Sequence, residues 1–175
     1  MVNRSEISYR GGFTALNKVI ENANQEIGVP EDMITNIDHI NIVVHDLDRM
    51  VAFYTEVLGL AATKRAHLEG DWIEAIVGLK GVSADVVFVE PTGGGPRIEL
   101  IKYHAPAGSE FPAHSAPNTF GLRHIALRTN DIASAHARLF EAGVKIFGPP
   151  VLVPNGVVRH DAGNKQLLYF LDPEG

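Results

Sequence analysis

The chain has 175 residues, which suits one domain or two small modules with a shared core, and its net charge of −6 argues against nucleic-acid binding. It contains no cysteine, which excludes disulfides, thiolate metal sites and cysteine nucleophiles. No segment approaches the roughly 18 apolar residues of a membrane span, and no signal-peptide pattern begins the chain, so we expect a cytoplasmic protein without membrane contact.

The first predicted element is a helix within residues 1–34, which stand apart from the rest of the chain. Gly28 and Pro30 end this N-terminal helical extension. We expect it either to pack on its own domain or to cover a partner subunit. Its apolar side chains recur at spacings of three and four, which is typical of one helix face: Phe13, Leu16, Ile20, Ala23 and Ile27.

A strand, a helix and three further strands are predicted in residues 35–104. A mostly apolar run rich in β-branched residues indicates a buried strand at 37–44. Asp46 then caps a helix that ends at Gly59. The remaining strands are expected at 61–68, 82–90 and 97–103, and the last two form a hairpin.

The same order recurs in residues 121–175, after a predicted loop at 105–120. His39 and Asp46 of the first copy correspond to His124 and Asp131 of the second, and both pairs are 85 residues apart. The second copy is predicted to contain a strand at 122–128, a helix from Asp131 to about Gly143, and strands near 144–147, 157–160 and 166–171. Each copy is therefore a βαβββ module, and the last strand of the second would follow Gly175.

Three side chains of the predicted strands have the chemistry of metal ligands. His39 and His124 occupy the same position in the two copies, and Glu99 lies in the last strand of the first copy. Two imidazoles and one carboxylate suit a divalent Zn, Ni, Co, Mn or Fe ion without selecting one of them. The other histidines are predicted to be surface residues: His45, His67, His104, His114, His136 and His160.

Five segments of the chain resemble the vicinal oxygen chelate superfamily, which includes glyoxalase I, methylmalonyl-CoA epimerase, extradiol dioxygenases and the fosfomycin and bleomycin resistance proteins. The resemblance covers residues 37–175. It implies an α+β fold in which two tandem βαβββ modules form a curved mixed sheet around a metal and substrate cleft, with the N-terminal helix as an addition. The segments are IDHINIVV, DLDRMVAFYTEVLGL, RIELIKY, GLRHIALR and YFLDPEG.

The resemblance also implies a chemistry. It assigns the metal to His39, Glu99 and His124, with a fourth ligand just beyond Gly175; this last Glu is also the suspected proton-transferring base. The expected reaction is a proton transfer next to a carbonyl of a small metal-chelated substrate, as in an isomerase, epimerase or lyase. We expect substrate contacts from Asn41, Tyr103 and Trp72.

Two other functions remain open at this point. The chain also resembles Fe²⁺ ring-cleaving dioxygenases, in which two His and one carboxylate leave positions for substrate and O₂. It also resembles proteins of the same fold that bind a ligand or an antibiotic without chemistry. In each case the expected partner is a small molecule, and modules of this kind often pair between subunits, which predicts a homodimer.

Overall fold

The computed structural model describes residues 34–109, 118, 120–154 and 165–175. The predicted N-terminal helix, most of the predicted loop at 105–120 and the predicted strand at 157–160 lie outside the described residues, as do His114 and His160. Residues 38–175 form one compact unit. Within the described part, no helix is both long and apolar enough to span a membrane.

The first predicted strand and helix are confirmed as elements, but the predicted burial of the strand is wrong. β1 spans His39–Val43, and none of its residues is buried, because it lies at the edge of the described sheet. α1 spans Leu47–Ala52 and continues as a π-helical segment, Phe53–Val57. The carboxylate of Asp46 accepts a hydrogen bond of 3.0 Å from the backbone N–H three residues later, so it is the helix N-cap. Gly59 follows the helical segment with φ of 77°, a left-handed conformation that glycine adopts without strain.

Four more strands complete the sheet of the first half. The predicted strand at 61–68 is divided into two short pieces, and the predicted hairpin is confirmed. The sheet is mixed, in the order β1-β5-β4-β2 with β3 also paired to β4; β1 is parallel to β5, and the other pairs are antiparallel. The strands are β2 (Ala61–Ala62), β3 (Ala66–Glu69), β4 (Ser83–Glu90) and β5 (Arg97–Ala105).

A short helix between β3 and β4 was not predicted. This helix, α2, spans Asp71–Val77 and lies between Gly70 and Gly78, the second of which has φ of 71°. Seven residues form only about two turns, so the apolar periodicity that identifies a longer helix cannot develop.

The main core lies between α1 and one face of the sheet, which we call the helix face. Met50 of α1, Val89 of β4 and Leu100 of β5 are completely buried there. Because side chains alternate along a strand, Glu99 lies on the opposite face, which we call the open face. A smaller apolar cluster covers part of the open face: Ala84, Val86 and Ile101, with Leu68, Phe88 and Tyr103 beside them.

The described residues of the second half form shorter strands than predicted. The strand predicted near 144–147 is reduced to a bridge at Ile146, and the one predicted near 166–171 is reduced to Gln166–Leu167 with a bridge at Phe170. The predicted helix is confirmed as α3 (Ile132–Glu141), with Asp131 as its N-cap. β6 (Val151–Leu152) pairs with β7 (Gln166–Leu167), and a single bridge joins Ile146 to Phe170.

The strand predicted at 122–128 is wrong for the described structure, in which these residues form no ladder. The physical reason lies in strand pairing. β1, its counterpart in the sequence, is a strand because it bonds to β5, whereas no described residue forms a ladder with 122–128. A strand needs a neighbour to bond its backbone groups.

The C-terminal turn nevertheless binds the start of the first helix. The carboxylate of Glu174 accepts hydrogen bonds from the backbone N–H groups of His45, at 2.9 and 3.0 Å, and Asp46, at 2.8 Å. Next to it, the hydroxyl of Tyr54 donates to Asp172 Oδ2 at 3.4 Å. Burial raises the pKa of Tyr54 well above its usual value, with the Asp172 carboxylate as a further cause, so the hydroxyl stays protonated.

Candidate metal centre

His39 and Glu99 lie side by side on the open face of the sheet. The parallel register of β1 and β5 pairs His39 with Arg97 and Asn41 with Glu99. The Nε2 atom of His39 is 3.6 Å from Oε2 of Glu99, and their side chains are 39% and 18% exposed. The two side chains are therefore close to each other and still accessible to a small molecule.

Asp38 fixes the orientation of the His39 ring. Its Oδ2 atom is 2.7 Å from His39 Nδ1 and 2.6 Å from a guanidinium nitrogen of Arg97. The hydrogen bond with His39, followed by that with Arg97, holds the pKa of Asp38 below its usual value. A neutral imidazole that donates from Nδ1 presents its lone pair at Nε2, which is the atom that faces Glu99.

Phe88 lies beside this pair on the open face. It is opposite Glu99 in the β4–β5 register. Its ring meets the His39 ring edge-on, with centroids 5.5 Å apart, and the Arg97 guanidinium lies over it at 4.5 Å. Asp38, Phe88 and Arg97 were not selected from the sequence. Asp38 could have been predicted from the sequence because it is next to His39. The position of Phe88 beside His39 depends on the strand register, which the sequence does not give.

The three predicted substrate-binding residues have different positions. Asn41 donates a hydrogen bond of 2.6 Å from Nδ2 to Glu99 Oε2, so it belongs to the His39 and Glu99 group. Tyr103 packs with the apolar cluster of the open face, on the strand that carries Glu99. Trp72 lies in α2, and 56% of its surface is exposed.

His124 stands apart from the other two predicted ligands. Its Nδ1 atom is 3.3 Å from the hydroxyl of Tyr169, and the two rings meet at a steep angle with centroids 5.4 Å apart. Among the described residues, His124 does not join His39 and Glu99 in a group whose ligand atoms lie within 4.8 Å of one another. It belongs to the segment 122–128, which no sheet holds in position.

The donor set of His39 and Glu99 fits a divalent metal. Two ligands of one tetrahedral ion, each at about 2.1 Å, stand roughly 3.4 Å apart, which is close to the 3.6 Å between Nε2 and Oε2. The carboxylate of Asp38 behind the imidazole is the outer partner that metal-bound histidines usually have. The pair thus supplies two ligands with the right spacing and support, and a third must come from elsewhere.

Comparisons with known proteins show what the chain is similar to. Residues 36–175 match the family described as the Glyoxalase/Bleomycin resistance protein/Dioxygenase superfamily. The chain is 29% identical over 143 residues to a 2-epi-5-epi-valiolone epimerase from Actinomyces sp., which covers 79% of this chain and 74% of that protein. It is 28% identical over 142 residues to an ethylmalonyl-CoA/methylmalonyl-CoA epimerase from Cereibacter sphaeroides. This match covers 81% of this chain and 91% of that protein. The crystal structure of a glyoxalase family protein from Bacillus cereus matches with a TM-score of 0.66 and 26% identity, over 73% of this chain and 85% of that one.

Proposed function

We propose that this chain, which belongs to the Glyoxalase/Bleomycin resistance protein/Dioxygenase superfamily, is a divalent-metal-dependent enzyme that transfers a proton at a carbon next to a carbonyl. The observation that carries the proposal is the placement of His39 Nε2 3.6 Å from Glu99 Oε2, with Asp38 behind the ring. The two epimerase relatives support an epimerase or isomerase reaction.

In this proposal His39 and Glu99 are two protein ligands of the metal, and His124 is the third. Asp38 holds the imidazole in the tautomer that binds through Nε2. When bound there, the ion would supply Lewis acidity that draws electron density from the substrate carbonyl.

Other side chains of the open face would hold the substrate. The amide of Asn41 is fixed by its bond to Glu99 and keeps one N–H and its oxygen for a substrate group. Tyr103, further along β5, carries a hydroxyl that can bond a second substrate oxygen. The Phe88 ring covers one side of His39 and so limits the approach of water from that side. A small substrate with neighbouring oxygens fits this set.

The experiment is a proton-exchange assay under nitrogen. The full chain is loaded separately with Zn²⁺, Co²⁺, Ni²⁺ and Mn²⁺ and mixed in D₂O with 2-epi-5-epi-valiolone or methylmalonyl-CoA, the compounds that the names of the relatives suggest. NMR then follows loss of the proton next to the carbonyl. We expect exchange with at least one metal, and a loss of about 100-fold or more in His39→Ala and Glu99→Gln, because general acid–base groups and their supports contribute about that much.

His136→Gln, which removes a histidine from α3, is the matched control and should retain full exchange. Elemental analysis of chain purified without chelators gives an independent reading of the same site. Iron as the only active metal, with consumption of O₂, would replace the proposal by the dioxygenase function. A chain that takes up no metal and exchanges no proton would be a ligand-binding protein of this fold.

A further inference from the structure

A second group of potential metal ligands lies on the helix face of the sheet. His67 of β3 and Asp85 of β4 are directly opposite each other in the antiparallel register. Asp85 alternates with Ala84 and Val86, whose side chains pack in the cluster of the open face. By this alternation Asp85 points away from the open face, so the second group is separated from His39 and Glu99 by the sheet itself.

Asp85 lies between two imidazoles and contacts both. Its Oδ1 atom is 2.7 Å from His67 Nδ1, and its Oδ2 atom is 3.2 Å from His104 Nε2. The two rings are stacked at an interplanar angle of 25°, with centroids 6.2 Å apart. His67, Asp85 and His104 each offer a ligand atom, and these atoms all lie within 4.8 Å of one another. In the described part of the chain, no other three residues meet this condition.

Strand alternation gives His104 its place in the group. Lys102 is opposite Asp85 in the β4–β5 register, so His104, two residues further along β5, lies on the same face and diagonally opposite Asp85. Its Nε2 atom is 3.2 Å from Asp85 Oδ2. The register shifts by one residue between Ser83 and Ala84, so that His104 has no partner residue in β4. Three adjacent strands therefore hold the three side chains, which is a more rigid support than a loop.

We propose that His67, Asp85 and His104 form a second binding site for a divalent transition metal. It lies on the face of the sheet opposite His39 and Glu99, which with His124 are the proposed ligands of what we call the first centre. Two imidazoles and one carboxylate are the ligands that Zn²⁺, Co²⁺, Ni²⁺ and Cu²⁺ accept, and water would complete the coordination. The side chains are 45%, 23% and 42% exposed, so an ion can reach them. The site does not depend on the proposed reaction, because none of its residues faces the open side.

The surroundings of the group also suit a cation. The Glu69 carboxylate is 3.7 Å from His67 Nε2, and Ser83 Oγ is 3.5 Å from the same atom. Asp85 and Glu69 carry two negative charges, and Lys102, opposite Asp85 in the β4–β5 register, carries one positive charge on the same face. Binding would replace the hydrogen between His67 Nδ1 and Asp85 Oδ1, and these atoms would move apart by roughly 0.7 Å to reach the spacing of two ligands on one ion.

The test separates the two sites by substitution. In the full chain, His39→Ala and His124→Ala first remove two predicted ligands of the first centre. Zn²⁺ is then titrated by calorimetry, and Co²⁺ by its visible absorption. We expect this background chain to bind one ion. Adding His67→Gln and His104→Gln to the background should weaken metal binding at least about tenfold.

The control adds His45→Gln and His136→Gln to the same background. It removes two histidines elsewhere in the chain and should leave metal binding unchanged.

Asp85→Asn provides a second variant that nearly preserves side-chain shape. Loss of Co²⁺ absorption in this variant, with an unchanged circular dichroism spectrum, would support the site even if the double His variant did not fold. The inference is overturned if the background chain binds neither ion, or if Asp85→Asn binds as tightly as the background. Failure of the proton-exchange assay would leave this result untouched, because the titration measures metal binding, not proton exchange, in a chain that already lacks His39 and His124.

Discussion

Asp38 determines how His39 can act, although it is not expected to touch a metal. Its carboxylate holds Nδ1 at 2.7 Å and directs Nε2 towards Glu99. Removing such an outer partner typically lowers metal affinity about 10- to 100-fold. We therefore expect Asp38→Ala to weaken metal binding at the first centre by this factor, measured by calorimetry in a chain that carries His67→Gln and His104→Gln.

Asp71→Ala is the control for this prediction, because it removes an exposed carboxylate from α2. It should leave the affinity of the first centre unchanged. If Asp38→Ala binds as tightly as this control, the carboxylate does not orient a metal-binding imidazole, and the role assigned to Asp38 is wrong.

Leu100 tests the core at the level of one side chain. It is completely buried between the sheet and α1, and a Leu→Ala change at such a site costs about 2–5 kcal/mol. We expect this loss in the free energy of unfolding of Leu100→Ala, measured with urea. Leu122→Ala is the same substitution at a side chain that is 69% exposed and should change the free energy by less than about 0.5 kcal/mol. Equal losses would contradict the assigned core.

At the scale of elements, the N-cap of helix α3, Asp131, makes the stability of the fold depend on pH. Asp131 accepts hydrogen bonds from the hydroxyl and the backbone N–H of Ser134, at 2.6 and 2.9 Å. These bonds, the hydroxyl first, hold the pKa of Asp131 below its usual value. A carboxyl with a depressed folded-state pKa stabilises the fold above its unfolded value near 3.8, and this contribution is lost as the pH falls through the folded-state pKa.

We therefore expect Asp131→Ala to unfold at a lower temperature than wild type at pH 7, with the difference shrinking below pH 3.8. Asp131→Asn keeps a capping side chain without a titrating group. It should stay close to wild type at pH 7 and show none of this pH dependence. Thermal unfolding followed by circular dichroism from pH 2.5 to pH 7, at about ten values, makes the comparison. A constant difference between wild type and the Ala variant would contradict it.

The sequence predicts some elements better than others. Some elements depend on neighbouring residues, whereas others depend on contacts between residues that are far apart in the chain. The helices that follow Asp46 and Asp131 depend on a cap and on apolar periodicity, which are local signals, and both are observed. The segment 122–128 resembles β1 in sequence, but a strand also needs a bonded neighbour, which no local pattern supplies. Helix α2 is too short for periodicity to indicate it.

At the scale of the whole molecule, the C-terminal turn and the first helix support each other. Glu174 accepts N–H groups that precede α1 and have no acceptor within the helix. Because the contact is exposed, we expect Glu174→Ala to cost only about 1 kcal/mol of unfolding free energy, measured with urea. Glu141→Ala, at the end of α3, should change it by less than about 0.5 kcal/mol. No loss in Glu174→Ala would show that the turn contributes nothing to stability.

The family and the two proposed ligands His39 and Glu99 follow from the sequence, whereas the other residues of the two proposed sites do not. The resemblance is confirmed by the match over residues 36–175. Strand alternation predicts the faces of His39 and Glu99, but only the parallel register brings them together. The group around Asp85 depends on the β3–β4 and β4–β5 registers, which have no sequence signature. His67 and His104 are exposed, as predicted, but they are not isolated.

The parallel pairing of β1 with β5 also has a kinetic consequence. Asn41 and Glu99, which meet on the open face, are 58 positions apart in the sequence. His67 and Asp85, which meet on the helix face, are 18 positions apart. Closing the longer loop costs about 1 kcal/mol more in chain entropy. We therefore expect His67 and Asp85 to come together earlier during refolding than Asn41 and Glu99. A metal ion present from the start would then bind first to the proposed ligands on the helix face.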